Sequence, residues 1–96
     1  MGARRRAPAK LQLRLYVALG APNSVRAINN LHAILNAHFA GRHEVEVVDL
    51  LAFPKRAMAD GIIVTPTLLR LRPLPPKRLI GDLGDASQVL MTLSSR

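Results

Sequence analysis

Fourteen Lys and Arg stand against six Asp and Glu in this 96-residue chain, a formal charge of +8, and there is no cysteine. The missing sulfur excludes disulfides, thiolate metal sites and thiol catalysis, and the length sets a single domain that buries roughly 60–65% of its unfolded surface. The charge favours an acidic partner without choosing among protein, nucleic acid and membrane surface, and no apolar run approaches the ~20 residues of a membrane span.

Residues 1–10 read as a basic flexible arm and residues 11–96 as the folded domain. Arg4, Arg5 and Arg6 before residues 11–18 mimic an export or import signal, but Gln12 and Arg14 interrupt the apolar stretch that a signal requires. Leu11, Leu13, Leu15 and Val17 alternate with Gln12, Arg14, Tyr16 and Ala18, a period of two that predicts a half-buried strand. Pro22 suits the first turn of the helix that follows. There Val25, Ile28, Leu31, Ile34, Leu35 and Phe39 form the apolar side, Arg26, Asn29, Asn30, Ala33 and Asn36 the polar side, and Gly41 is the expected C-terminal cap. Residues 44–51 predict a second strand, apolar on both faces near its end and hence central. Strand, helix and strand make a right-handed unit with a parallel pair.

Pro54 and Gly61 bracket a short helix. Pro66 precedes a strand over residues 68–72, and a cis bond is expected at Thr65-Pro66. Pro73, Pro75 and Pro76 stiffen a turn that returns through residues 77–80. Gly81 and Asp82 begin a loop, and Asp85 caps a last helix with Gln88 three residues on; Val89, Leu90 and Leu93 form its buried side. The order β-α-β-α-β-β-α is that of an α/β, thioredoxin-like single domain.

That fold raises the question of redox chemistry, but the loop after the first strand reads Gly20, Ala21, Pro22, Asn23, with no thiolate to attack a disulfide. His32 and His38 lie six apart, not the four that would share a metal; His38 falls on the apolar side of its helix, and His32, His38 and His43 read as structural or solvated. Asp82 and Asp85 are better explained by local turn and cap bonds than by acid–base work. No catalytic residue, metal site or cofactor is expected. Arg70 and Arg72 should share a strand face, with Lys77 and Arg78 across the hairpin in one basic patch and Arg26 on the polar side of the first helix. Edge protection against aggregation is the simpler use of such charges, and docking of an acidic partner the functional one.

Residues 13–18 (Leu, Arg, Leu, Tyr, Val, Ala), residues 22–27 (Pro, Asn, Ser, Val, Arg, Ala), Val48, Asp49, Leu50 and Leu51 with Pro54, Thr65 to Leu68, and Pro73, Leu74 and Pro75 through Ile80, Gly81, Asp82 and Leu83 together resemble the KaiB family of circadian-clock proteins over roughly residues 11–93. The resemblance implies a non-catalytic, cytoplasmic protein that binds the hexameric KaiC ATPase and modulates its phosphorylation and ATPase cycle. It also implies KaiA or a clock-output kinase as further partners, and two folds: a rearranged resting form, dimeric or tetrameric, and a thioredoxin-like form that binds KaiC. On it, Arg26, Arg70 and Arg78 match basic positions of the KaiC contact, with Lys77 in support. The sequence departs from the family at Gly61, where Lys is common, and at Thr92 and Ser94, where Gly and Asp are. Charge alone suggests a different class, a nucleic-acid binder, which one Tyr and two Phe make a poor fit because single-strand binders stack bases on aromatic rings.

Overall fold

A computed structural model describes residues 10–95, so the expected arm lies outside it except for Lys10. The elements are β1 (Leu11–Val17), α1 (Pro22–His38), β2 (His43–Asp49), α2 (Pro54–Ala59), β3 (Thr67–Arg72), β4 (Lys77–Ile80) and α3 (Ala86–Ser94). They form one four-stranded sheet in the order β2-β1-β3-β4. β1 runs parallel to β2 and antiparallel to β3, and β3 and β4 close as a hairpin.

Alternation along β1 sends Leu11, Leu13, Leu15 and Val17 to one face, where they pack with Ala27, Leu31, Ile34 and Leu35 of α1 and Val89 and Leu93 of α3. The expectation of a half-buried strand fails at Tyr16. Its side chain is 0% exposed, because β1 is central and α2 covers the opposite face. There Tyr16, Val48, Ala57 and Leu69 form a second, smaller core.

The second strand corrects another expectation. β2 is an edge strand: Val48 is buried in the smaller core and Val45 is half-buried against the main one, but Val47 at its open end is exposed. In α1 the buried positions are Ser24, Ala27, Leu31, Ile34 and Leu35, while Val25 is exposed. The face is rotated toward the small residues Ser24 and Ala27 because the Ser24 hydroxyl accepts the Ala18 N–H at 3.0 Å, drawing the start of the helix onto β1. The helix ends at a Phe39 cap, and Gly41 (φ +73°) turns the chain two residues later.

Pro54 opens α2, which buries only Ala57. Asp60 caps it, and Gly61 follows at φ +68°, a left-handed conformation that glycine adopts without strain. The Thr65-Pro66 peptide is cis. The Asp85 carboxylate accepts the Gln88 N–H at 3.1 Å and starts α3 as the sequence indicates, with Leu90 half-buried beside Val89 and Leu93.

Candidate functional site

Because β1 and β2 are parallel and β3 antiparallel to them, the C-terminal ends of β1 and β2 and the start of β3 meet at one end of the sheet. The β1–α1 turn, the β2–α2 loop and Pro66 gather there, where a thioredoxin-like enzyme would hold its thiols. Here the end is apolar instead. Leu19, Leu51 and Ile63 are 63%, 77% and 91% exposed, and Phe53 and Val64 are also exposed. Sequence reasoning missed this surface because each residue sits in a loop, outside any periodic pattern.

The expected basic patch is divided. Arg26 is exposed on α1, donates to the Asn23 side chain, and brings its Nε within 3.6 Å of an Asp82 carboxylate oxygen. Asp82 in turn accepts the Gly84 N–H at 2.9 Å, and its carbonyl accepts from the Asn30 amide at 2.9 Å. The loop that Gly81 begins is thereby tied to α1. Leu83 within it takes φ +61°, a costly conformation for a branched side chain, which burial of that side chain in the main core offsets.

Arg78 and Lys77 are neighbours on β4 and point to opposite faces, since Arg78 pairs with Leu69 and Lys77 with Arg70. The exposed Arg78 guanidinium donates to the carbonyls of Asp60 (2.7 Å) and Gly61 (2.9 Å), satisfying the end of α2. Lys77 is half-buried and Arg72 exposed.

Arg70 does not join them. Its side chain is 1% exposed on the α1 and α3 face and donates to the carbonyls of Thr92, Ser95 and Pro75 at 2.8, 2.5 and 2.8 Å. In this conformation the residue is a buried tie and not a charge offered to a partner. The sequence placed it on the strand face correctly but could not show that α3 covers that face.

On the α2 face a polar cluster went unrecognised in the sequence. Arg14 donates to Glu46 from Nε and to Asp60 from Nη1, both at 2.9 Å. Arg56 donates to the same Glu46 oxygen at 2.7 Å, and the Tyr16 hydroxyl donates to Asp60 at 2.6 Å. The Arg56 and Arg14 hydrogen bonds hold Glu46 down to about 2. The Tyr16 hydroxyl and then Arg14 hold Asp60 below the ordinary carboxylate range, while burial pushes Tyr16 up. Both carboxylates are thus fixed in their charged forms and engaged by donors, an arrangement that binds α2 to the sheet rather than moving protons. A signal for it existed: the parallel register sets Arg14 directly opposite Glu46.

His32 and His38 are exposed, so His38 does not lie on the apolar side of α1; the half-buried His43 lies 2.8 Å from the Phe39 carbonyl through Nδ1. Among the described residues no group of three or more His, Cys, Asp or Glu could hold a metal, and no helix is long and apolar enough to cross a membrane. A cavity of about 450 Å³ between the ends of α1 and α3 has His38, Arg42 and Ser94 as its polar side chains and no carboxylate.

Comparison with known proteins agrees with this geometry. The KaiB domain family matches residues 14–95. A circadian clock oscillator protein KaiB from Prochlorococcus marinus is 47% identical over 81 residues, covering 84% of this chain and 71% of the relative. The protein of the same name from Synechococcus elongatus is 48% identical, covering 84% and 79%. Among solved structures, the N-terminal domain of Synechococcus elongatus SasA superposes with a TM-score of 0.77 at 26% identity, covering 98% of this chain and 92% of that one. Mitochondrial thioredoxin 3 from Saccharomyces cerevisiae superposes at 0.72 with 12% identity, covering 88% and 77%, a likeness of fold alone. The architecture and the cysteine-free sheet end define a thioredoxin-like domain without thiol chemistry. Within that class the chain belongs to the KaiB family, whose members compared here are named for the circadian clock.

Proposed function

We propose that this chain is a cytoplasmic, non-catalytic clock protein that binds the KaiC ATPase hexamer and modulates its phosphorylation and ATPase cycle. The family match over residues 14–95 carries the reading. Two features support it. The thioredoxin-like arrangement is the one the family resemblance associates with KaiC binding, and the sheet end presents exposed apolar side chains where a thiol enzyme would present its nucleophile. Arg26, Lys77 and Arg78 supply charge for an acidic counterpart. A protein of this kind does no chemistry. It binds one state of the ring more tightly than another and shifts the population by that difference. KaiA or a clock-output kinase is the further partner this reading implies, and a homo-oligomer is the resting assembly.

Gel filtration with light scattering tests the proposal, with the chain alone and then mixed with KaiC from the same cell in ATP and in ADP. Co-elution with the hexamer is expected in at least one nucleotide state. Failure to co-elute in either, or with phosphomimetic KaiC, overturns it, and binding to random oligonucleotides with a steep salt dependence would then identify a nucleic-acid module.

A further inference from the structure

Acidic side chains are few in this chain, and each has a partner. The six are Glu44, Glu46, Asp49, Asp60, Asp82 and Asp85. Glu44 meets Lys10, Glu46 meets Arg14 and Arg56, Asp60 meets Arg14, and Asp82 meets Arg26. Asp49 accepts the Leu51 N–H, and Asp85 the Gln88 N–H. Neither Arg42 nor the buried Arg70 has a carboxylate side chain beside it. Arg42 lines the cavity of about 450 Å³ between the ends of α1 and α3. Arg70 donates to the Thr92 and Ser95 carbonyls, on either side of the Leu93 and Ser94 that line the same cavity. A buried cation without a counter-anion keeps its field in the low-dielectric space around it, so the cavity has a positive surround.

The rest of the lining is apolar. Leu11 and Leu93 are buried, Phe39 and Leu90 are half-buried, and Pro73 stands beside them. The volume falls within the range of about 300–1,000 Å³ that holds small organic ligands. Carbonyls at the ends of two helices would ordinarily repel an anion. Here they already have donors. The His38 carbonyl accepts from Arg42 Nη2 at 3.0 Å, the Phe39 carbonyl accepts the Arg42 N–H at 2.9 Å, and Arg70 covers α3. The first of these bonds, with the Phe39 ring 5.7 Å from the guanidinium carbon, fixes the exposed Arg42 head at the cavity. Its Nη1 and Nε have no acceptor among the described residues. The planar fork of arginine suits a carboxylate, and the His38 ring and Ser94 hydroxyl add neutral donors.

We propose that this cavity binds a medium-chain fatty acid, with the carboxylate on Arg42 and the alkyl tail against Leu11, Leu90 and Leu93. One exposed guanidinium with neutral donors matches a single negative charge, and the leucine lining matches an unbranched tail. β1 begins at Leu11 and β3 ends just before Pro73, so the cavity lies at the opposite end of the sheet from the exposed Leu19, Leu51 and Ile63. A bound acid leaves that surface clear.

An NMR titration of the full chain with decanoate, kept below its micelle concentration, tests the site. The amides of Phe39, Arg42, Leu93 and Ser94 are expected to shift and saturate, while those of Leu19, Leu51 and Ile63 hold still. Decyltrimethylammonium, with the same tail and the opposite charge, is expected to leave all of them in place. Hexanoate is expected to bind at least tenfold more weakly, because it leaves four methylenes' worth of apolar lining uncovered. Arg42→Gln alters an exposed side chain and is expected to weaken decanoate about fivefold, the upper end for an exposed ion pair. Shifts that fail to saturate, or that centre on Leu19, Leu51 and Ile63, overturn the proposal. Equal binding of the cationic amphiphile or of hexanoate overturns it as well, as does an Arg42→Gln chain that binds decanoate like the parent.

Discussion

Tyr16 and Asp60, 44 residues apart, meet through a 2.6 Å hydrogen bond that ties the central strand to the cap of α2. Since α2 buries only Ala57, this bond and the neighbouring Arg14 contact carry much of its attachment. Tyr16→Phe keeps the packing and removes the donor. Urea unfolding is expected to show a loss of about 1.5–3 kcal/mol, typical of a hydrogen bond to a charged group. The Asp60 carboxyl, followed by carbon-detected NMR titration, is expected to rise toward its ordinary 3.8 because its largest lowering influence has gone.

Acid should loosen the same face. Glu46 titrates at about 2 in the folded chain against an ordinary 4.5, so its contribution is fully present above 4.5 and is lost as pH falls toward 2. Asp60, also lowered, adds in the same direction. Because the Glu46 side chain is 47% exposed, solvent screening limits its share. Glu46→Gln is expected to flatten the stability profile below 4.5 by no more than about 1 kcal/mol. Thermal melts at stepped pH measure it, and a profile identical to the parent's would contradict the assignment.

Exposed apolar residues at the sheet end offer a separation of folding from binding. Leu51→Ser with Ile63→Ser alters side chains that are 77% and 91% exposed, so stability is expected to stay within about 0.5 kcal/mol. Co-elution with KaiC is expected to fall. Unchanged co-elution would place the contact elsewhere.

Charge removal should act differently. Arg26→Ala, Lys77→Ala and Arg78→Ala are each expected to slow association with KaiC and to weaken its salt dependence, as rim charges steer encounter more than they hold the complex. Arg78→Ala should in addition loosen the Asp60–Gly61 turn that follows α2, whose carbonyls it satisfies. Stopped-flow association rates over a salt series distinguish the two effects.

The element order was legible because the strong patterns are local: alternation in β1, the apolar side of α1 and the Asp85 cap each lie within one segment. What the sequence concealed was layering. Tyr16 reads as a solvent-facing partner of Arg14 until α2 is known to cover it, and Arg70 reads as a surface charge until α3 is. β2 reads as central because Val47 and Val48 are adjacent, although only Val48 is buried. Arg26 and Asp82 each stand out in the sequence, but a separation of 56 positions hides their contact. In each case the missing information was which face a distant helix covers, and no single segment encodes it.

The β3–β4 hairpin holds an arginine for the end of a helix on each side, Arg78 for α2 and Arg70 for α3. During synthesis this imposes a sequence of events. The whole of α2 is synthesised before Arg78, so the Asp60 and Gly61 carbonyls must wait for their donor. α3 is made after Arg70 and meets a fastener already in the chain. The segment through β2 can pair β1 with β2 beneath α1 before the hairpin is made, whereas the other side of the sheet closes only once α3 has been added.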